Sequence, residues 1–108
     1  MEEDAIYTIE DLGKALETFN AAYTGQHKAN DTKQDFYCGI TNDLEKRKST
    51  HKVEKYAATI ECDSFETSTA IEEALHDDGF DTGDQRGNGD DDSVFVYMYR
   101  QIPGVTQK

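Results

Sequence analysis

The chain contains no long hydrophobic run. A helix that crosses a bilayer needs about 20 consecutive, mostly apolar residues, and no such stretch occurs, so no membrane span is predicted. A basic segment followed by an apolar one is also missing at the start, so no secretory signal is expected. These features exclude membrane proteins and favour a soluble domain.

Cysteine and apolar residues are scarce as well. The two cysteines, Cys38 and Cys62, fall inside predicted strands, where small buried residues are expected in preference to a disulfide or a metal pair. This cysteine usage predicts a reducing, cytoplasmic location. Only 35% of the 108 residues are apolar, so a single domain spanning residues 1–108 with a thin core is expected.

Positive charge is the third deficit. Eleven lysines and arginines stand against 23 acidic residues, giving a net charge of −12. Seven aspartates between positions 77 and 92, set against Arg86 alone, account for −6 of it. Such a surface repels nucleic acid at long range and attracts a basic protein partner. The segment does not match a calcium-binding EF-hand loop, because Phe95 stands where the last glutamate belongs.

What is present reads as alternating helices and strands. A first helix is capped by Thr8 and stopped by Gly25; a second is capped by Asn42 and runs to about His51; a third begins with an Asp63–Glu66 capping box and ends at Gly79. Strands are predicted at 35–40, 55–62 and 93–100, with a possible short one at 5–7. The strand at 93–100 is apolar on both faces, which is typical of a central strand. The pattern indicates an α+β domain.

The segment from Tyr37 to Arg47 carries the clearest functional signal. It places a tyrosine, a small apolar residue and Gly39 on a strand, then a capped turn, then an arginine on a helix that also bears Lys46 and Lys48. This segment resembles the second half of the GIY-YIG nuclease motif, and His51, four residues after Arg47, suits many members. Glu72, in an Ile-Glu-x-x-Leu setting, is similar to the metal-binding glutamate of that family.

The resemblance implies a small three-stranded antiparallel sheet flanked by helices, here with an extra N-terminal helix. It also implies a phosphodiesterase site that uses Mg²⁺ or Mn²⁺. In that site Tyr37 would handle a proton, Arg47 would hold the phosphate and Glu72 would bind the metal. Physically, a phenol of pKa near 10 needs a nearby cation to act as a base, and a guanidinium offsets charge in the transition state.

The first half of the motif is where the chain departs from the family. The family places it on the preceding strand, about eleven residues before Tyr37, and that position holds Thr24-Gly25-Gln26. Two interpretations remain open: Tyr7 completes the site through a hairpin expanded by a helix, or one catalytic tyrosine is missing. Tyr23 is a further candidate.

Each candidate has a purely structural interpretation. Tyr37 suits a core position, and Arg47 suits a solvated helix position paired with Asp43. His51 suits a helix end, where its charge favours the helix dipole. Glu72 suits an exposed helix position, and Glu73 is the competing candidate for the metal ligand. Phe95, Tyr97 and Tyr99 are read mainly as core aromatics, although an exposed pair would suit base stacking. Two functions follow. The first is a metal-dependent endonuclease that acts on DNA or RNA and has a basic groove that includes Lys52. The second is an inactive acidic module that mimics DNA, as phage inhibitors do, and engages a basic protein.

Overall fold

The computed structural model describes residues 6–53, 55–82, 94–102 and 104–106. These residues form four strands and three α-helices, and the chain is an α+β domain. The strands are β1 (Ile6–Tyr7), β2 (Phe36–Thr41), β3 (Ala58–Cys62) and β4 (Phe95–Arg100). The helices are α1 (Leu12–Gln26), α2 (Leu44–His51) and α3 (Phe65–Asp77).

The sheet has the strand order β1-β3-β4-β2 and is mixed. β4 pairs antiparallel with β2 on one side and with β3 on the other, whereas β1 pairs parallel with β3. This differs from the three-stranded antiparallel sheet that the resemblance implies, because Ile6 and Tyr7 add a fourth strand at the edge. The central position predicted for the last strand is confirmed, and its residues 96–99 are buried.

The hydrophobic core lies between one face of the sheet and the helices α1 and α3. Alternate residues of a strand point to opposite faces, so one set from each strand meets these helices. The sheet contributes Phe36, Cys38, Ile40, Ile60, Cys62, Val96 and Met98, and the helices contribute Ala15, Phe19, Ile71 and Leu75. Both cysteines are buried free thiols, as the sequence predicts.

Local hydrogen bonds fix where the helices begin. Thr8 caps a 3₁₀ turn that leads into α1, and its hydroxyl accepts from the backbone of Glu10. α3 is capped by Ser64 rather than by Asp63, since the Ser64 hydroxyl accepts from the Thr67 amide at 3.2 Å. α3 ends before Gly79, which takes a positive φ of 108°. α1 continues past Gly25 to Gln26, one residue beyond the predicted stop.

No helix in the described ranges has both the length and the apolar character needed to cross a membrane.

Candidate functional site

Three tyrosines share the sheet face opposite the hydrophobic core. In the β2–β4 register Tyr37 lies opposite Tyr99, and Gly39 lies opposite Tyr97. Directly opposed residues of an antiparallel pair project to the same face, so the three phenols are neighbours. The ring centroid of Tyr37 is 5.4 Å from that of Tyr99 and 6.4 Å from that of Tyr97. The second tyrosine beside Tyr37 therefore comes from the C-terminal strand.

His51 joins these phenols. Its Nε2 lies 2.8 Å from the Tyr97 hydroxyl, and its Nδ1 lies 3.1 Å from the Tyr99 hydroxyl. A neutral imidazole can serve both by accepting from one phenol and donating to the other. The exposed fractions of His51 and Tyr97 are 2% and that of Tyr99 is 0%, whereas Tyr37 is only half-buried. Within this cluster Tyr37 is thus the member that reaches solvent.

Helix α2 is positioned by polar contacts at both ends. Leu44 is its only strongly apolar residue, so it has no hydrophobic stripe with which to pack on the sheet. At its N-terminal end the Tyr56 hydroxyl donates to the Leu44 carbonyl at 2.6 Å, and at its C-terminal end His51 contacts the phenols. The predicted cap Asn42 is wrong: the Asp43 side chain accepts from the Lys46 amide at 3.0 Å.

Arg47 lies midway along α2 and is exposed to solvent. Its guanidinium is close enough to lower the pKa of Tyr37 and of Tyr97, against the larger raising effect of burial. Among the ion pairs between described residues none involves Arg47, and the expected pair with Asp43 does not form. The alternative interpretation of Arg47 as a solvated helix residue is therefore confirmed in its exposure, while the ion pair with Asp43 that it included is wrong.

Glu72 approaches Tyr37 from α3 and is buried, with an exposed fraction of 4%, while Glu73 is exposed. The interpretation of Glu72 as an exposed helix residue is therefore wrong. Burial raises the pKa of Tyr37, and the carboxylates of Glu72 and Asp81 raise it further. The same three causes hold the pKa of the Cys38 thiol well above its usual range, so that thiol is unreactive.

The backbone of Asp81 lies against the outer edge of β2. It forms a bridge to the outer edge of β2, where its carbonyl accepts from the Cys38 amide at 2.8 Å. Gln101 donates to its carboxylate at 3.1 Å. Sequence reasoning placed Asp81 in an acidic loop and assigned it no role. The rest of the predicted 77–92 aspartate cluster lies largely outside the described residues.

The other predicted site residues fall into two groups. Lys46 and Lys48 share α2 with Arg47, and Lys48 pairs with Glu45 at 3.7 Å. Tyr7 is not part of the cluster: β4 and β3 separate its strand from β2, and its hydroxyl bonds with that of Thr18 at 3.1 Å. The expanded-hairpin interpretation is therefore wrong.

Tyr23 does not complete the cluster either. Its ring makes edge contacts with Phe36 and Phe80 in the core. Tyr97 and Tyr99 lie beside Tyr37 instead, and their burial confirms the prediction that they are core aromatics. Their contact with Tyr37 was not predicted. The available signal was the alternation of Phe95, Tyr97 and Tyr99, which puts three aromatic rings on one face of a strand.

Two carboxylates, those of Glu72 and Asp81, act on Tyr37 and raise its pKa. Mg²⁺ binds in proteins through one or two carboxylates and completes its shell with water and substrate phosphate oxygens. No group of three or more His, Cys, Asp and Glu side chains suited to a metal is found among the described residues. Glu72 and Asp81 are therefore the two candidate ligands beside Tyr37.

Comparisons with known families, curated proteins and solved structures gave no match to this chain. The interpretation of the site accordingly depends on its geometry and on the residue pattern of the 37–47 segment.

Proposed function

We propose that the protein is a phosphodiester hydrolase with a divergent GIY-YIG-like site, acting on DNA or RNA with Mg²⁺ or Mn²⁺. The observation that carries the proposal is that Tyr37 lies beside His51 and Tyr99, with the charges of Arg47 on α2 and Glu72 on α3 within electrostatic reach. β4 occupies the place that the resemblance gives to the first motif, beside the Tyr37 strand. In this proposal Tyr97 and Tyr99 replace the missing tyrosine.

The residues suit distinct tasks. Arg47, without a carboxylate partner among the described residues, is available to bind a phosphate and to offset the charge that develops during attack by water. Tyr37 is protonated at rest, since burial and two carboxylates raise its pKa. Neutralisation of Glu72 would remove one of those charges and make the Tyr37 phenol easier to deprotonate. Once its own proton has passed to solvent, the phenolate can accept the proton of the attacking water.

Glu72 and Asp81 are the residues that would hold the divalent ion. When bound, the ion would polarise the phosphate and neutralise negative charge. Tyr97 and Tyr99, both hydrogen-bonded to His51, would form the buried surface beneath the reacting phosphate. Their burial makes them positioning residues and leaves Tyr37 as the phenol that meets substrate.

The test is cleavage of end-labelled single-stranded, duplex and branched oligonucleotides in Mg²⁺, Mn²⁺ or EDTA. We expect cleavage only with a divalent ion, and a loss of about 100-fold or more in Arg47→Ala and Glu72→Gln. Lys14→Ala removes one positive charge from exposed α1, away from the cluster, and should retain activity. Absence of cleavage on every substrate, or full activity in Arg47→Ala, would refute the proposal.

A second candidate is the inactive acidic binding module. The observation that favours it is the burial of Tyr97, Tyr99 and His51, which closes most of the aromatic cluster to ligands. Its binding face would be the acidic segment, where Asp90, Asp91 and Asp92 lie outside the described residues. Under this proposal, reversing those three charges abolishes capture of a basic protein, while Arg47→Ala leaves capture unchanged.

A further inference from the structure

Tyr56 is a partly exposed tyrosine that contacts the first turn of α2, the helix that carries Arg47. It precedes β3, and its ring centroid lies 5.1 Å from that of Tyr97. Its hydroxyl donates to the Leu44 carbonyl at 2.6 Å, which fixes the ring against the first turn of α2. The ring is only partly covered, so part of it faces solvent. A ring held in this way can receive a ligand with little loss of side-chain entropy.

Arg47 places positive charge at this ring. Burial raises the pKa of Tyr56 to about 12, Glu45 raises it as well, and the Arg47 guanidinium opposes them. The same guanidinium acts on Tyr97 and on Tyr37. Arg47 is therefore within electrostatic reach of both Tyr56 and Tyr37, and it lies one helical turn after Leu44, which Tyr56 contacts.

Basic residues outnumber acidic ones in the sequence around Tyr56, although the protein is acidic. From Asp43 to Lys55 there are five basic and three acidic residues, and Arg47, Lys52 and Lys55 are exposed. Among the described ion pairs, Lys48 with Glu45 spans 3.7 Å and involves a largely exposed glutamate, so it neutralises little. A polyanion would meet favourable charge here and a stacking surface in the same place.

We propose that Tyr56 stacks on an unpaired nucleobase whose phosphate is bound by Arg47, so that the protein selects single-stranded over duplex nucleic acid. This inference depends on the proposed function and deepens it by naming the substrate class. An unpaired base can lie flat on a fixed ring, whereas bases in a duplex are already stacked on their neighbours. Tyr97 and Tyr99 cannot take this role, because their rings are buried.

A purely structural role for Tyr56 predicts different behaviour. If the side chain serves only to tether α2 through Leu44, then Tyr56→Phe, which removes the hydroxyl, should be the damaging change. If it stacks, Tyr56→Phe should bind nearly as well as the native protein, and Tyr56→Leu, which retains apolar bulk without a ring face, should not.

Binding can be measured without cleavage in EDTA, by anisotropy of a labelled 12-nucleotide single strand and of a hairpin duplex of the same base composition. We expect tighter binding of the single strand. We expect a loss of about tenfold in Tyr56→Leu and little change in Tyr56→Phe. Arg47→Ala should weaken the binding of both ligands. It should also reduce the slope of log affinity against log salt concentration by the amount expected for about one phosphate contact.

A third variant keeps the test decisive if Tyr56→Leu does not fold. The chain has no tryptophan, so Tyr56→Trp introduces a single reporter. Its emission should be quenched when the single strand binds, and it should be unaffected by the duplex. Unfolding curves for all three variants give the stability control.

The outcomes separate this inference from the proposed function. Equal affinity for both ligands, native binding by a folded Tyr56→Leu, or quenching of Tyr56→Trp by the duplex would overturn the role of Tyr56. Arg47-dependent cleavage would stand in that case. Conversely, ring-dependent binding of the single strand without cleavage in any metal would support the role of Tyr56 and exclude the hydrolase.

Discussion

Gly39 shows how a single residue of a short motif depends on a distant part of the chain. A Cβ atom at this position would lie 2.6 Å from the Tyr97 hydroxyl oxygen and 2.8 Å from the adjacent ring carbon. Its φ is not positive, so backbone conformation does not require glycine here. The requirement is space: the Tyr97 ring lies over the Gly39 backbone on its way to His51.

Gly39→Ala should therefore displace the Tyr97 phenol and weaken its hydrogen bond with His51. We expect a loss of about 1–3 kcal/mol in the free energy of unfolding, measured by urea denaturation, because the overpacked side chain has to shift. The matched control is Gly13→Ala in α1, where nothing lies within 4 Å of the added atom. That variant should gain about 0.5–1 kcal/mol. Native stability of Gly39→Ala would show that Tyr97 moves freely.

Residue roles were predictable where they depended on local pattern. Tyr37, Arg47 and Gly39 were found from one eleven-residue segment, because a strand, a turn and a helix follow one another there. Tyr97 was not found, because its role arises from the β2–β4 pairing, which joins residues far apart in the chain. Nothing in the local sequence of β4 specifies which strand will lie beside it.

At the scale of elements, α2 is unusual in being held to the sheet by phenols. Its N-terminal end is bound by Tyr56 and its C-terminal end by the His51 contacts with Tyr97 and Tyr99. A polar helix of eight residues is unstable alone, so contacts of this kind stabilise it. The two buried bonds of His51 hold one end of the helix, so loss of the Tyr56 bond alone leaves α2 tethered.

His51→Leu should loosen α2 more than the rest of the fold. The substitution deprives two buried phenols of a partner, and each buried polar group left without one costs about 1–3 kcal/mol. Hydrogen exchange should accelerate first at the α2 amides. Ser49→Ala, an exposed change on the same helix, is the control. His51→Gln retains a donor and an acceptor and should fall between the two. Uniform acceleration across the sheet would contradict a local tether.

The elements themselves were largely readable from the sequence, and their arrangement was not. Apolar periodicity located α1 and α3, and a capping pattern located α2. Alternation located β3, and a run that is apolar on both faces located the central β4. Predicted caps erred by one residue at Asn42 and Asp63, because adjacent polar side chains compete for the same amides. The parallel pairing of β1 with β3 was not predicted, since it brings together segments on either side of two helices.

At the scale of the whole molecule, the cluster of Arg47 and the tyrosines lies on the opposite side of the sheet from the apolar core. The Arg47 helix and its tyrosines occupy one face of the sheet, and the apolar core occupies the other. Seven aspartates between positions 77 and 92 carry much of the net charge of −12, and one of them, Asp81, acts on Tyr37. Net charge alone does not exclude a local anion site, because charges separated by more than about 10 Å are screened at moderate salt.

Burial of many phenols and thiols predicts that the fold is sensitive to alkali. The pKa of Tyr56 and of Cys62 rises to about 12, and burial also raises those of Tyr37, Tyr97, Tyr99 and Cys38 above their ordinary values. Unfolded phenols ionise near pH 10 and unfolded thiols near 8.5. Above those values the unfolded chain has lost protons that the folded chain retains, so stability falls as pH rises toward the folded pKa values.

We expect the free energy of unfolding to be level near pH 8 and to fall between pH 9 and 11. Each retained proton adds a slope of up to about 1.4 kcal/mol per pH unit. Urea denaturation in 0.3 M NaCl, which screens the general repulsion of an acidic chain, measures this slope. Tyr97→Phe starts from lower stability but removes one titrating phenol, so its slope should be shallower than that of the native protein. A flat profile to pH 11, or an unchanged slope in Tyr97→Phe, would show that the phenols of the cluster ionise in the folded protein as readily as in water.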